Sequence, residues 1–159
     1  MPFTSNIFPV VEVIHLFGIT LLLVSSTLLA QTSEDEAVIA TVQKVFDGMA
    51  AHDAAIIRST MLPDARFYSV RDAGAPTTTL AEDFASRISG MQGGLLERFT
   101  GRPKVTVRGR IAYLWSEYEF LRDGKFSHCG VDTATLFKTP EGWKIATLTY
   151  TMETTGCKQ

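Results

Sequence analysis

Residues 111–153, IAYLWSEYEFLRDGKFSHCGVDTATLFKTPEGWKIATLTYTME, hold three long runs of aromatic and β-branched residues broken by RDGK at 122–125 and TPEG at 139–142. Breaks this short and this rich in turn formers join antiparallel neighbours, so the stretch reads as a β-meander. A fourth β-type segment, LLERFTGRPKVTVRG at 95–109, precedes it and ends on Arg108-Gly109.

Upstream the period changes from two to 3.6. In SEDEAVIATVQKVFDGMAAHD (33–53), Val38, Val42, Val45 and Met49 form one apolar stripe, with Ile39 and Phe46 beside it. Ser33 and Glu36 have capping-box spacing. Asp53 is placed to cap a second helix over AAIIRSTM, which Pro63 should end. ARFYSVRD alternates as a strand and runs into the turn AGAP. Thr79 and Glu82 repeat the capping-box spacing ahead of a third helix, LAEDFASRISGM, with Leu80, Phe84 and Ile88 on one face. Helices first and a meander second is an α+β order. Three helices of this size can cover one face of the sheet and curl it into a cone with a pocket inside.

At 159 residues the chain suffices for one domain with its own core. A net charge of −2, without a basic stripe, argues against nucleic acid as a partner. Residues 1–30 stand apart: the apolar LFGITLLLV (16–24) and the small Ala30 precede an abrupt change to QTSEDEA. This pattern predicts a secretory leader cleaved after Ala30 and a mature domain over 31–159, secreted or periplasmic. Residues 1–15 depart from the usual leader in having no Lys or Arg and one acid, Glu12. An over-long start or an uncleaved anchor explains that, and membrane contact is expected only through this segment. Its apolar core is well short of the about 20 residues of a full span.

His128, Cys129 and Asp132 bring three reactive residue types together. Strand alternation separates them, because neighbours project to opposite faces. His128 and Asp132 share a face, but about 13 Å of strand rise lies between them. No zinc site is expected without a third nearby ligand, and a Cys–His nucleophile pair fails on the same geometry. An exported chain with two cysteines instead invites a disulfide, Cys129 to Cys157. With TPEG as the hairpin loop, Cys129 falls opposite Met152, and a turn at ETTG (153–156) would return Cys157 to it. Arg66 and Tyr68 share one face of their strand and Phe67 takes the other. Tyr113 and Trp115 likewise oppose Tyr118. Whichever set faces inward is expected to line the pocket.

The stretches AHDAAIIRSTMLPDARFYSV and DGKFSHCGVDTATLFKTPEGWKIATLTYTMETTGC, in this order, resemble the nuclear transport factor 2-like superfamily. Within it they are most similar to the SnoaL-like and lumazine-binding-like group of exported bacterial proteins. The resemblance covers about residues 33–157. It implies a cone-shaped α+β barrel of three N-terminal helices on a curved antiparallel sheet. The superfamily holds ketosteroid isomerase, scytalone dehydratase, polyketide cyclases, transport factors and ligand binders, so it implies a pocket and leaves the reaction open. One expectation is a binding domain for a small apolar or aromatic molecule, with no cofactor. The other is an isomerase, dehydratase or cyclase using Asp132 as general acid/base, with Tyr68, Tyr118 or His128 as its partner. Against that stands an Asp132 that merely pairs with an arginine or caps a loop. A homodimer through the open sheet face is a third expectation.

Overall fold

The computed structural model describes residues 33–157. The leader assigned to 1–30 lies outside the described residues. Among these, no helix is long and apolar enough to cross a membrane.

Helix α1 covers residues 33–50. Its stripe of Val38, Val42, Val45, Phe46 and Met49 is buried, as the period predicts. Near its start, Glu34 accepts from Lys138 Nζ and from the Trp143 indole nitrogen, at 2.9 Å for the latter. These contacts fasten α1 to the last hairpin. Glu36 pairs with Arg102. Helix α2 (Ala54–Ser59) begins where expected, with Asp53 Oδ1 accepting from the Ala55 and Ile56 amides at 2.8 and 3.2 Å.

Strand β1 (Met61–Arg71) starts before Pro63, so α2 ends on Thr60 rather than at the proline. Strand β2 (Thr77–Leu80) pairs with β1 and leads into α3 (Ala81–Ser89). The capping box expected at Thr79 does not form. Thr79 is a strand residue, Leu80 occupies the cap position without a side-chain bond, and Glu82 is taken by Arg58 in a two-pronged ion pair. The segment at 95–109 is two strands, β3 (Leu95–Phe99) and β4 (Lys104–Arg108). Gly101 and Pro103 interrupt it, proline having no N–H for the ladder. Both halves pair with β5 (Ile111–Arg122). The meander then continues through β6 (Lys125–Thr139) and β7 (Gly142–Met152).

The seven strands form one sheet in the order β2-β1-β7-β6-β5-β3, with β4 also on β5. Contrary to the all-antiparallel expectation, the sheet is mixed, because β1 and β7 run parallel. No hairpin joins these two strands, so no turn dictates their direction. The curved sheet closes over α1, α2 and α3, and the core lies between them, from Val38 and Ile57 to Leu114, Leu136 and Ile145.

Candidate functional site

The concave face is set by alternation. Along β6 it carries His128, Gly130, Asp132, Ala134 and Leu136. Opposite them on β5 lie Phe120, Tyr118, Ser116, Leu114 and Ala112. Strand β3 adds Leu95, Glu97 and Phe99 to this face, since Glu97 sits opposite Phe120 and Phe99 opposite Tyr118. Strand β7 adds Leu148 and Tyr150, and β1 adds Phe67 and Ser69 beside them.

A cavity of about 440 Å³ lies between this face and the helices. Its walls include Phe46, Phe67, Phe84, Ile88 and Leu148, and its polar groups include Glu97, Tyr118, His128 and Tyr150. Phe67 stacks on Phe84 with ring centroids 4.1 Å apart, which ties β1 to α3 across the apolar wall.

Of the residues expected at the pocket, Tyr118 and His128 reach it. Arg66, Tyr68, Tyr113 and Trp115 do not, because their strand parity puts them on the convex face. There Tyr113 is exposed and Trp115 carries Lys104 over its ring at 4.8 Å. Asp132 faces inward but lies beneath the cavity lining, fully buried. His128 stacks on Phe120 at 4.9 Å and is held below its ordinary pKa by burial and then by Arg71, so it is neutral at pH 7. Gly130 lies between His128 and Asp132 on this face, so the two do not form one site. His52 clasps the loop after α3, with Nδ1 3.1 Å from the Ile88 carbonyl and Nε2 2.9 Å from that of Gly93.

The residue missing from the sequence reading is Glu97. Its carboxyl and that of Asp132 are within hydrogen-bonding reach of each other. No other donor reaches either oxygen of Asp132 among the described residues. Two carboxylates offer only acceptors, so one proton between them is what satisfies the pair. Burial first, and the Asp132 charge second, raise Glu97 well above the ordinary carboxylate range. Burial also pushes Asp132 up, to about 7, while the hydrogen bond from Glu97 pulls the other way. Glu97 therefore carries the proton and donates it toward Asp132. As the member that lines the cavity, Glu97 is also the one a ligand can touch. The signal for it was present: Leu95 and Phe99 flank it at the strand period, as Ala134 and Leu136 follow Asp132.

Tyr118 closes the same corner. Its hydroxyl donates to the Thr151 carbonyl at 2.6 Å, crossing over Gly130, its partner on β6. Burial, then Glu97 and Asp132, raise its pKa, so it stays a phenol with its proton committed. The crossing needs a residue without a side chain. A Cβ on Gly130 would stand 2.3 Å from the Thr151 carbonyl oxygen and 2.9 Å from its carbon, both backbone atoms of β7. Gly130→Ala is therefore expected to destabilise by about 2 kcal/mol through overpacking, read from urea denaturation. An unchanged midpoint would show that β7 gives way freely.

Among the described residues, no group of His, Cys, Asp and Glu is arranged to hold a metal ion.

These features define a helix-capped cone with a partly polar interior, the nuclear transport factor 2-like fold. A superfamily protein from Salmonella enterica serovar Typhimurium superposes with a TM-score of 0.64 at 14% identity, over 80% of this chain and 96% of its own. A cystatin-like-fold relative from Novosphingobium aromaticivorans gives 0.65 at 18% identity, over 83% and 89%. A protein from Streptomyces avermitilis titled "putative dehydratase" gives 0.62 at 17%, over 77% and 97%. At these identities the likeness is one of fold. The family model described as "Putative lumazine-binding" matches residues 33–151, and the chain belongs to that family. Among functionally curated proteins, none matches it.

Proposed function

We propose that the protein is an exported binding domain for a small apolar or aromatic molecule held in the cone. The carrying observation is the cavity of about 440 Å³ with aromatic walls and a single acid, Glu97, in its lining. That volume is in the range of small-molecule sites, and a few convergent polar groups on an apolar wall are their usual chemistry. With its proton turned to Asp132, Glu97 offers the cavity its other carboxyl oxygen, an acceptor suited to a hydroxyl or N–H group on the ligand. The leader pattern and the Cys129–Cys157 disulfide support export. Native mass spectrometry of the protein purified from an exporting host tests the reading. A co-purifying small molecule, lost in Glu97→Gln, is the expected result. A bare protein that also fails to bind apolar aromatic ligands would overturn it.

A second reading is favoured by one feature, the tuned carboxyl pair. In an isomerase-, dehydratase- or cyclase-type enzyme Glu97, rather than Asp132, would be the acid/base, because only Glu97 meets the cavity. Asp132 would then set its proton affinity. The neighbour named a dehydratase supports this at the level of fold only. Turnover abolished by Glu97→Gln with ligand binding retained would select this reading over simple binding.

Self-association through the convex face belongs to the same proposal. Ile111, Tyr113 and Phe137 are exposed together there, Ile111 and Phe137 as a cross-strand pair. A monomeric mass in light scattering would remove it.

A further inference from the structure

Three arginines reach the cavity lining from three separate elements: Arg71 at the end of β1, Arg87 in the last turn of α3 and Arg122 at the end of β5. None has a carboxylate partner among the described residues, whereas Arg58, Arg98 and Arg102 each do. Arg87 lies over the Phe84 ring at 5.6 Å, and Arg122 Nη2 donates to the Gln92 carbonyl at 3.3 Å. Neither contact neutralises a charge. The acids next to Arg71 and Arg122 in sequence form no ion pair with them and turn to other partners. Asp72 accepts from Thr154, and Asp123 Oδ1 accepts from the Gly94 amide. Glu97 is the one acid in the lining, and its carboxyl, raised by burial and by Asp132, faces Asp132. The chain as a whole carries −2, so this cationic mouth is local.

Gathering guanidinium groups without counter-charge is unfavourable unless something anionic joins them. Their planar forks match the paired oxygens of a carboxylate or phosphate. Ser127, with a hydroxyl, and the neutral His128 stand beside them in the lining and add hydrogen-bonding capacity without charge. The apolar walls begin directly inside, at Phe67, Phe84 and Leu148.

We propose that the cavity takes an amphipathic anion, its apolar or aromatic body against the phenylalanine wall and its anionic end on Arg71, Arg87 and Arg122. This deepens the binding reading above and rests on it. The body gives affinity through burial, and the arginines fix which end lies at the mouth.

Two dyes of one skeleton separate the two claims: N-phenyl-1-naphthylamine, which is neutral, and 8-anilino-1-naphthalenesulfonate, its sulfonated counterpart. Fluorescence titration of the purified protein should show both binding, the sulfonate at least about tenfold tighter, as charge-assisted hydrogen bonds allow. In R71Q/R87Q/R122Q that preference should vanish while the neutral dye binds as before. In R66Q/R108Q, which removes charge from the convex side, the preference should persist. Displacement of the sulfonate dye by decanoate or by monododecyl phosphate at concentrations well below those decanol needs distinguishes the head group and supports the proposal in either case; displacement by decanol at equal concentration overturns the anion site. Equal binding of both dyes, or a preference untouched by the triple substitution, overturns the anion site and leaves the apolar pocket standing. Failure of both dyes to bind overturns the pocket and the anion site together.

Discussion

Raising the pH from about 4 to about 7 should destabilise this protein, against the usual trend for a mildly acidic domain. Asp132 has an ordinary carboxyl pKa in the unfolded chain and one of about 7 when folded, chiefly from burial. Between those values the native state binds a proton that the unfolded state has lost, so stability falls as pH rises. It is fully present below the unfolded pKa and gone above the folded one. About three pH units at about 1.4 kcal/mol each gives on the order of 4 kcal/mol. Glu97, raised by the same burial and by Asp132, extends the decline in the same direction. The acids Glu34, Glu82 and Glu141 are lowered by their hydrogen-bond partners, so their contribution is lost only as pH falls below the ordinary carboxylate range. The two windows do not overlap. Urea unfolding from pH 4 to 8 measures the slope. Asp132→Asn should make it shallower, leaving the part that Glu97 contributes, and be the more stable protein at pH 8, because an amide buries no charge there. A slope as steep in Asp132→Asn as in the parent, or its absence in the parent, would refute the shared-proton account.

This prediction bears on function. Paired carboxyls under an apolar cavity are a stability cost that a simple core would avoid by using Leu or Met. Their position argues that the cost is retained for what Glu97 presents to the cavity. At pH 7 that is the carboxyl oxygen left over from the bond to Asp132, an acceptor for a hydroxyl or N–H on the ligand. Tyr118 has no donor to offer, with its proton given to Thr151. Tyr150, opposite Asp132 on β7, has no hydrogen-bond partner among the described residues and lies in the same lining. Its hydroxyl is a donor a ligand would find there.

What the sequence made legible follows from how far each signal reaches. The α1 stripe and the three long strands depend on periods within one element, and both appear as read. Alternation alone separated Asp132 and His128 from Cys129. Glu97 carried the same signal, but the charged Arg98 beside it makes LLERF read as a solvated edge until pairing with β5 is known. Arg66, Tyr68, Tyr113 and Trp115 were separated correctly from Phe67 and Tyr118 by parity. Which set faces the helices is a tertiary choice, made by the apolar partners opposite them. The arginine mouth was invisible for a similar reason: Arg71, Arg87 and Arg122 come from β1, α3 and β5, with no spacing that links them. The parallel β1–β7 contact was missed because no turn encodes it.

Reduction of the Cys129–Cys157 disulfide is expected to have an effect of comparable size. The two cysteines are 28 residues apart. The β6–β7 register explains how they meet. An irregularity between Thr135 and Leu136 shifts the pairing by one, so Cys129 lies opposite Glu153 rather than the expected Met152. The turn beyond Glu153 then returns Cys157 to it, with Cα atoms 5.8 Å apart. On the chain-entropy model a loop of this length stabilises by about 3–4 kcal/mol. For a domain of this size that corresponds to a fall of about 10 °C in melting temperature. The loss should also be local. Past the Asp132–Tyr150 pair, β6 and β7 are held only by the Thr151 hydroxyl accepting from the Val131 amide and by the bridge of Cys129 to Glu153. Without the disulfide that end of the ladder opens, and water reaches toward Asp132. The C129A/C157A protein should therefore melt lower and show a shallower pH slope than the parent. A melting temperature unchanged by reductant, with both thiols shown to be alkylated, would mean that the ladder holds the chain end without the bridge. A lower melting temperature with the full pH slope retained would separate the two roles and confine the disulfide to the terminal segment.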